Sequence, residues 1–429
     1  MQQKLLAILP KVAGTHSASS TDGLPPIDLS IAENLLLRDE LLDFTKDAVA
    51  KNLKPEHLSY PPGFGGDPEL LEALANFFNT YLHPSIPVQA GQIVTVSGAG
   101  NALDALLCGI CDDGDSVLVP GPYWEGFGPY FRIHANVNIQ TVHTPTFDGS
   151  MDFGMVTAVK DAYDTAPTPS RIRALVLTNP HNPFGQCYPP EVLRELMRFC
   201  QAHDLHLISD EVYALSSYKS SSTLPPFVSA LSLLSNLPET DIEGRHGHKD
   251  GFDPARIHVI WSMSKDFGCS GIRMGCVISQ ANKMLLTAVG LSAYWQTSSL
   301  SSVVATSLLK SPNLPDLVGL NRERLAESYA VLTESLIQWQ VEFLPANAGL
   351  FVFAKVVENA RDWDEEAAVV GALASSGVIV SPGRRFDGGE SEKGWVRITF
   401  AVPRKQLREA LERMEPILHQ SIGGAEAKA

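Results

Sequence analysis

Lys265, in Trp261-Ser-Met-Ser-Lys-Asp-Phe-Gly268, stands just past the apolar run Ile257-His-Val-Ile-Trp261, and Arg273 follows eight positions later. The run reads as a buried strand that delivers the lysine at its exit. A lysine amine attacks an aldehyde only when deprotonated, and partial burial lowers its pKa in that direction. Ser262 and Arg273 flank it with a hydroxyl and a planar guanidinium, a pair suited to a phosphate. Taken alone, the segment also reads as a strand followed by a charged turn.

Other residues lie at similar strand exits. Ser97-Gly-Ala-Gly-Asn-Ala102 follows a strand and opens a helix, and its small residues let Ala99, Gly100 and Asn101 bring backbone N–H groups towards a phosphate. In Thr178-Asn-Pro-His-Asn-Pro-Phe-Gly185 two prolines restrict the loop, so Asn182 presents its amide in a fixed direction, for instance to a phenolic oxygen. Ser209-Asp-Glu-Val-Tyr213 places Asp210 where a carboxylate would keep a pyridine nitrogen protonated, with Tyr213 in reach of the ring's phenolate. Trp124, or Tyr123 as second choice, suits stacking on a cofactor ring, and Arg397 on the strand Trp395–Phe400 suits bidentate pairing with a substrate carboxylate. Each has an ordinary alternative: helix cap, Asn-Pro turn, core ring, surface charge. As a set they have one purpose, which is pyridoxal phosphate held by Lys265 as a Schiff base.

Placing such residues together requires a sheet. Short apolar runs at Ile93–Val96, Val117–Val119, Ala174–Leu177, His206–Ile208, Ile257–Trp261 and Gly275–Ile278 alternate with helical patterns, such as Val192, Leu193, Leu196, Phe199 and Cys200. Asp67-Pro68 caps a helix with Leu70, Leu71, Leu74, Phe77, Phe78 and Tyr81 on one face. Buried strands alternating with helices imply an α/β fold with a mostly parallel sheet, and ligands there bind beyond the carboxyl ends of the strands. Residues 1 to 27 read as an N-terminal arm and 216 to 255 as an insertion over the surface. After about 310 come a long helical stretch, Ala348–Ala354, a helix near 363 to 375, Trp395–Phe400 and a closing helix from Pro403, which suggests a smaller α+β domain. The division expected is 1–60 as arm and part of the small domain, 61–310 as the large cofactor-binding domain and 311–429 as the small domain.

Composition narrows the function classes. A chain of 429 residues, 44% apolar and 19% charged, is an ordinary globular protein. Its net charge of −15 and lack of a basic cluster argue against a nucleic-acid partner. No apolar run approaches a membrane span, and the start is too weakly apolar for a signal peptide, so the cytosol is expected. Six cysteines make no disulfide framework; Cys108 and Cys111 read as core residues and His246-Gly-His248 as a solvated loop, so no metal site is expected. No GxGxxG opens the first βα unit, which disfavours a dinucleotide enzyme.

Ala32-Glu-Asn34, Ser262-Met-Ser-Lys-Asp-Phe-Gly268 with Gly271-Ile-Arg-Met-Gly275, Asn347-Ala-Gly-Leu-Phe351, and Ser381-Pro-Gly383 followed by Phe386 and Gly394-Trp-Val-Arg397 together carry a resemblance. Over residues 28 to 418 the chain resembles fold-type I pyridoxal-phosphate enzymes of the class I/II aminotransferase superfamily, and within it most resembles the 1-aminocyclopropane-1-carboxylate (ACC) synthase-like branch. The resemblance implies a large domain built on a seven-stranded sheet. It implies Lys265 as catalytic lysine, Asp210 as pyridinium partner, and Asn182 with Tyr213 at the ring oxygen. Ser262, Arg273 and the Ala99-Gly100-Asn101 turn would hold phosphate, with Arg397, Ala32 and Glu33 on the substrate side. It further implies a homodimer in which a tyrosine reaches the partner's phosphate; Tyr60 is the match, with Phe64 as the alternative.

Two departures bear on the reaction. ACC synthases carry Pro-Tyr-Tyr-Pro-Gly-Phe-Asp-Arg where this chain reads Pro122-Tyr-Trp-Glu-Gly-Phe-Gly-Pro129, and Ser-Pro-Gly-Ser-Ser-Phe where it reads Ser381-Pro-Gly-Arg-Arg-Phe386. Inward-facing Arg384 or Arg385 would suit a second anionic group or a bulky polar tail; outward-facing, they are solvated charges. The first expectation is an aminotransferase acting on an α-amino acid and a 2-oxo acid. The second is an ACC synthase-like lyase, eliminating a β- or γ-group or cleaving a C–S bond. A catalytically silent binding protein is disfavoured by the retained site residues.

Overall fold

A computed structural model describes residues 25–61, 63–220, 223–234, 251–294, 297–387 and 392–423. Most of the N-terminal arm, the His246–His248 loop and part of the 216–255 stretch lie outside them. Thirteen strands are present among the described residues: β1 (Ile27–Asp28), β2 (Ile93–Val96), β3 (Ser116–Pro120), β4 (Asn138–Val142), β5 (Ile172–Thr178), β6 (His206–Asp210), β7 (Ile257–Ser262), β8 (Gly275–Ile278), β9 (Glu342–Leu344), β10 (Phe351–Lys355), β11 (Val378–Ile379), β12 (Ser381–Pro382) and β13 (Trp395–Thr399).

Seven of these make one sheet in the order β2-β8-β7-β6-β5-β3-β4. β8 runs antiparallel to both its neighbours and the remaining pairs are parallel. The central strands are apolar runs because helices cover both faces, so no alternation with solvent is needed. β4 escapes that criterion: Asn138-Ile-Gln-Thr-Val142 is a polar, half-exposed edge strand. A four-stranded sheet of order β12-β13-β10-β9 and the parallel pair β1–β11 complete the strands. Leu29, Leu325, Leu332, Phe351, Ile398 and Leu411 belong to one apolar core around that second sheet. The helices include Pro68–Tyr81, whose Asp67 side chain accepts from the N–H groups of Glu69 and Leu70, and the long Leu314–Gln338. No helix among the described residues is long and apolar enough to cross a membrane.

Two expectations need correction. Cys108 is exposed and Cys111 half-buried, because the helix Ala99–Ile110 turns its carboxyl-terminal end away from the core. Burial nevertheless pushes the Cys111 thiol up to about 12. The described part of 216–255 is no surface excursion: Ala230, Leu231, Leu233, Leu234 and Phe252 are buried. Glu211 Oε1 accepts from Ala230 N (2.8 Å), and Asn179 Nδ2 donates to the Val228 carbonyl (3.1 Å). Its serines and prolines conceal an apolar anchor.

The register of the parallel strands sets the site. Thr178 pairs with Asp210 and Asp210 with Ile260, so the carboxyl ends of β5, β6 and β7 share one edge. Buried Asp266, next to Lys265, ties that edge together. It accepts from Trp261 Nε1 (2.9 Å) on β7, and from Leu215 N (3.1 Å) and Ser216 Oγ (2.7 Å) beyond β6. Asn321 Nδ2 donates to the Asp266 carbonyl (3.2 Å), and Asn34 Nδ2 to Asn321 Oδ1 (2.8 Å). Gly268, at φ 61°, makes the approach of Asn34 possible, since a Cβ there would lie 2.1 Å from the Asn34 carbonyl oxygen. Every partner of the Asp266 carboxylate is a donor, so an amide in its place must turn an NH2 group towards one of them. Asp266→Asn is expected to lower stability by about 2 kcal/mol, read as a shift of the denaturant unfolding midpoint. An unchanged midpoint would show that the network does not need the carboxylate.

Candidate active site

Lys265 follows β7 in the short helix Met263–Asp266, and its Nζ donates to the Ala32 carbonyl (2.6 Å) from the β1 side of the molecule. Burial, followed by the nearby positive charge of Arg397, lowers its pKa to about 8. About a tenth of the amine is therefore free base at pH 7 and about half at pH 8, far more than an ordinary lysine holds, as a nucleophile requires.

It opens into a cavity of about 430 Å³, lined among others by Thr178, Asn182, Asp210, Tyr213, Ser262 and Arg273. Asp210 ends β6, and burial raises its pKa to about 7 while the Val212 N–H and the Lys265 charge draw it down. A cation facing this carboxylate would be strongly held, because little water competes for it. Tyr213 is buried and stands edge-on to Phe351, with ring centroids 5.5 Å apart. Asn182 uses its Oδ1 to accept from Arg397 Nη1 (2.9 Å), so its NH2 is the group that can donate elsewhere.

At the opposite end Gly98 adopts φ 92° and starts the helix Ala99–Ile110. A Cβ on Gly98 would lie 2.5 Å from Arg273 Nη2, so glycine is required both by the backbone and by the guanidinium. Arg273 itself sits in the left-handed region at φ 55°, donating from Nη1 to the Ser270 carbonyl (2.8 Å) and from Nη2 to the Ser97 carbonyl (2.7 Å). Ala99, Gly100, Ser262 and Arg273 all line this end, while Asn101 sits in the first turn of the same helix outside the lining. An amine, a buried acid and a cluster of anion donors fit the functional groups of pyridoxal phosphate.

Arg397, on β13, is only 4% exposed. Its guanidinium lies between the rings of Phe351 (4.8 Å) and Phe386 (5.0 Å) and donates to the Ser30 carbonyl. Burial lowers its pKa to about 10, which still leaves it charged. Its Nε, buried and without a partner, is a donor that a carboxylate would satisfy.

Trp124 lines the cavity and Tyr123 does not; the Tyr123 hydroxyl instead donates to Asp387 Oδ2 (2.8 Å). Ala32 contributes its carbonyl, whereas Glu33 turns to the Ser270 hydroxyl and to Arg38 (3.6 Å), outside the lining. The two adjacent arginines split. Arg384 is exposed over Trp363 at 6.0 Å, and Arg385 faces the cavity paired with Glu125. Tyr60 is 73% exposed and outside this lining. Phe64 packs on the chain's own helix Lys283–Ser292, where a Cβ on Gly290 would meet its ring at 2.5 Å. Sequence reasoning missed Glu125, Tyr130, Ser264 and Ser270 as lining residues. Tyr130 packs so close to Gly100 that a Cβ there would lie 2.3 Å from its ring, a contact that nothing in the sequence links to position 130.

The depressed lysine has a measurable consequence. Capture of added pyridoxal phosphate by cofactor-free protein is expected to accelerate as pH rises and to level above about 8. A rate still climbing towards 10.5, the ordinary lysine value, would show that the amine is solvated.

Comparisons with known proteins bear on the same cavity. A family model described as aminotransferase class I and II matches residues 25–414. The chain is 43% identical over 414 residues to probable aminotransferase aclI of Aspergillus oryzae, spanning 96% of this chain and 95% of that one. It is 27% identical over 401 residues to 1-aminocyclopropane-1-carboxylate synthase-like protein 1 of Mus musculus, spanning 91% of this chain and 76% of that one. A structure of Thermus thermophilus aspartate aminotransferase (double mutant 1) superposes with a TM-score of 0.74 at 23% identity, over 95% of this chain and 98% of that one. At that identity the likeness shows the fold. The family match, joined to a lysine, a buried acid and an anion cradle around one cavity, makes this chain a pyridoxal-phosphate-dependent enzyme of the class I and II aminotransferase family.

Proposed function

We propose that the chain moves the amino group of an α-amino acid to a 2-oxo acid, with Lys265 as the base that carries the α-proton. The observation that supports this best is that Lys265, buried Asp210 and Arg397 line one cavity. Bound pyridoxal phosphate supplies a carbonyl for the substrate amine and a ring that accepts the electron pair left when the α-proton departs. Asp210 holds the proton of the ring nitrogen, and its burial strengthens that contact. The Asn182 amide and the Tyr213 hydroxyl would donate to the ring oxygen, and Trp124 would lie against the ring. Ser262, Arg273 and the N–H groups of Ala99 and Gly100 would hold the phosphate, whereas the Asn101 N–H is spent on the Gly98 carbonyl (3.1 Å). Arg397 fixes the α-carboxylate, which leaves the α-proton towards Lys265. Free Lys265 removes that proton and returns it at a neighbouring carbon, and the Ala32 carbonyl orients the amine between the two acts.

Elimination of a β- or γ-group shares every step up to removal of the α-proton, and the likeness to an ACC synthase-like protein supports it as a second reading. We also propose a homodimer in which Tyr60, exposed on its own chain, completes the partner's phosphate site; Phe64 is occupied within its own chain. The domain division at about 60 and 310 is part of the same reading, with the cavity at the junction.

A single-turnover reaction of cofactor-loaded protein with a panel of amino acids, without oxo acid, separates the two reactions. The panel includes S-adenosylmethionine and cysteine S-conjugates. Stoichiometric pyridoxamine phosphate and oxo acid are expected for amino-group transfer. Ammonia with thiol or thioether, and an unchanged cofactor, would establish elimination instead. Lys265→Ala should abolish turnover in both cases, and full activity would remove the lysine from its role. Arg397→Ala should raise KM by about tenfold or more for every carboxylate substrate, and an unchanged KM would move the carboxylate site elsewhere.

A further inference from the structure

The cavity holds a charged pair that the chemistry above does not use. Arg385 Nε donates to Glu125 Oε2 (2.6 Å), and Arg385 Nη2 lies 2.5 Å from Glu125 Oε1, so the guanidinium is engaged along one full edge. Both side chains are about a third exposed and both line the cavity. Their charges reach Arg397: Glu125 favours its protonated form and Arg385 opposes it. The pair thus sits on the substrate side, within electrostatic range of the carboxylate anchor.

The backbone around the pair is fixed. Arg385 belongs to the turn Gly383–Phe386 after β12. Buried Glu366 accepts from Arg384 N (3.0 Å) through Oε1 and from Gly394 N (3.0 Å) through Oε2. Glu125 follows β3, in a loop whose Tyr123 N donates to the Phe386 carbonyl (2.8 Å) and whose Tyr123 hydroxyl donates to Asp387. Two loops from different sheets are therefore joined beside the pair as well as through it.

A fork-shaped contact uses the donors that a ligand carboxylate would need. Glu125 takes the Nε–Nη2 edge. A carboxylate on the substrate's side chain would have to displace it or share the guanidinium from the Nη1 side, and either way two anions would stand close together in the cavity. Arg397 differs, because its Nε is still unpaired. We propose that Glu125 is a specificity determinant that masks Arg385, so that the cavity admits α-amino acids without a side-chain carboxylate and rejects those that carry one. Specificity of this kind comes from a repulsive element rather than from a new attractive contact. The inference rests on the cavity being the substrate site proposed above.

Calorimetric titration of cofactor-loaded protein with butyrate and succinate tests it, since these unreactive probes differ by one carboxylate. Cofactor absorbance confirms that each variant is loaded. The unaltered protein should bind succinate no tighter than butyrate. In Glu125→Gln, succinate should bind about tenfold tighter than in the unaltered protein, and the further change Arg385→Gln should remove that gain. Three results would overturn the mask: no gain in Glu125→Gln while butyrate still binds, a gain that persists without Arg385, or a preference for succinate before any substitution. Butyrate binding that survives Arg397→Ala would instead overturn the substrate-site reading, and the mask with it.

Discussion

The Lys265 amine has to be dry enough to lose its proton near neutrality and still open to a cavity. A lysine surrounded by water keeps its proton, and one sealed in the core meets no substrate. The fold meets both conditions by ending β7 just before the lysine and lodging Nζ against the Ala32 carbonyl, contributed by a segment 233 positions away. That contact brings the segment after β1 onto the carboxyl edge of the large sheet. Arg397 reaches the same place from β13 of the second sheet, donating to Asn182 and to the Ser30 carbonyl. The two sheets are thus held together by the groups that the chemistry needs.

Buried polar groups on the far side of Lys265 keep it in position. Asp266, Asn34 and Asn321 form a chain from β7 through the Leu314–Gln338 helix to residue 34, and Gly268 makes the closest approach possible. Such a network is costly to bury unless its donors and acceptors are matched, and the Asp266 carboxylate meets three donors. The resulting rigidity fixes the direction of a lysine whose own stem is flexible. Gly98 does the same for Arg273 at the other end of the cavity.

Family and reaction are decided by different parts of the molecule. The lysine, the acid and the anion cradle lie at the ends of β5, β6 and β7 and in the Gly98 turn, and in the reading proposed above they would serve any chemistry that begins by removing an α-proton. Discrimination lies with residues from loops and from the second sheet, including Trp124, Glu125, Tyr130, Arg385 and Phe386. These residues line the cavity, and a shared fold says nothing of what they select.

The sequence by itself determined the parts whose physics is local. Apolar runs marked the central strands, Asp67-Pro68 marked a helix start, Lys265, Asp210 and Asn182 were legible because each stands shortly past such a run, and Arg273 because it follows Lys265 by eight positions. Edge strand β4 was not, because three of its five residues are polar and it forms no continuous apolar run. The apolar anchor at Ala230–Leu233 was hidden by serine and proline around it. Tertiary structure alone decided that Arg385 turns in and Arg384 out, since neighbours along a chain are chemically alike until packing separates them. It also decided that Glu33 pairs with Ser270 and Arg38, and that Glu125 occupies Arg385 from 260 positions away. Local propensity acts over a few residues, whereas a charge partner is chosen by whichever distant segment the fold brings within hydrogen-bonding distance.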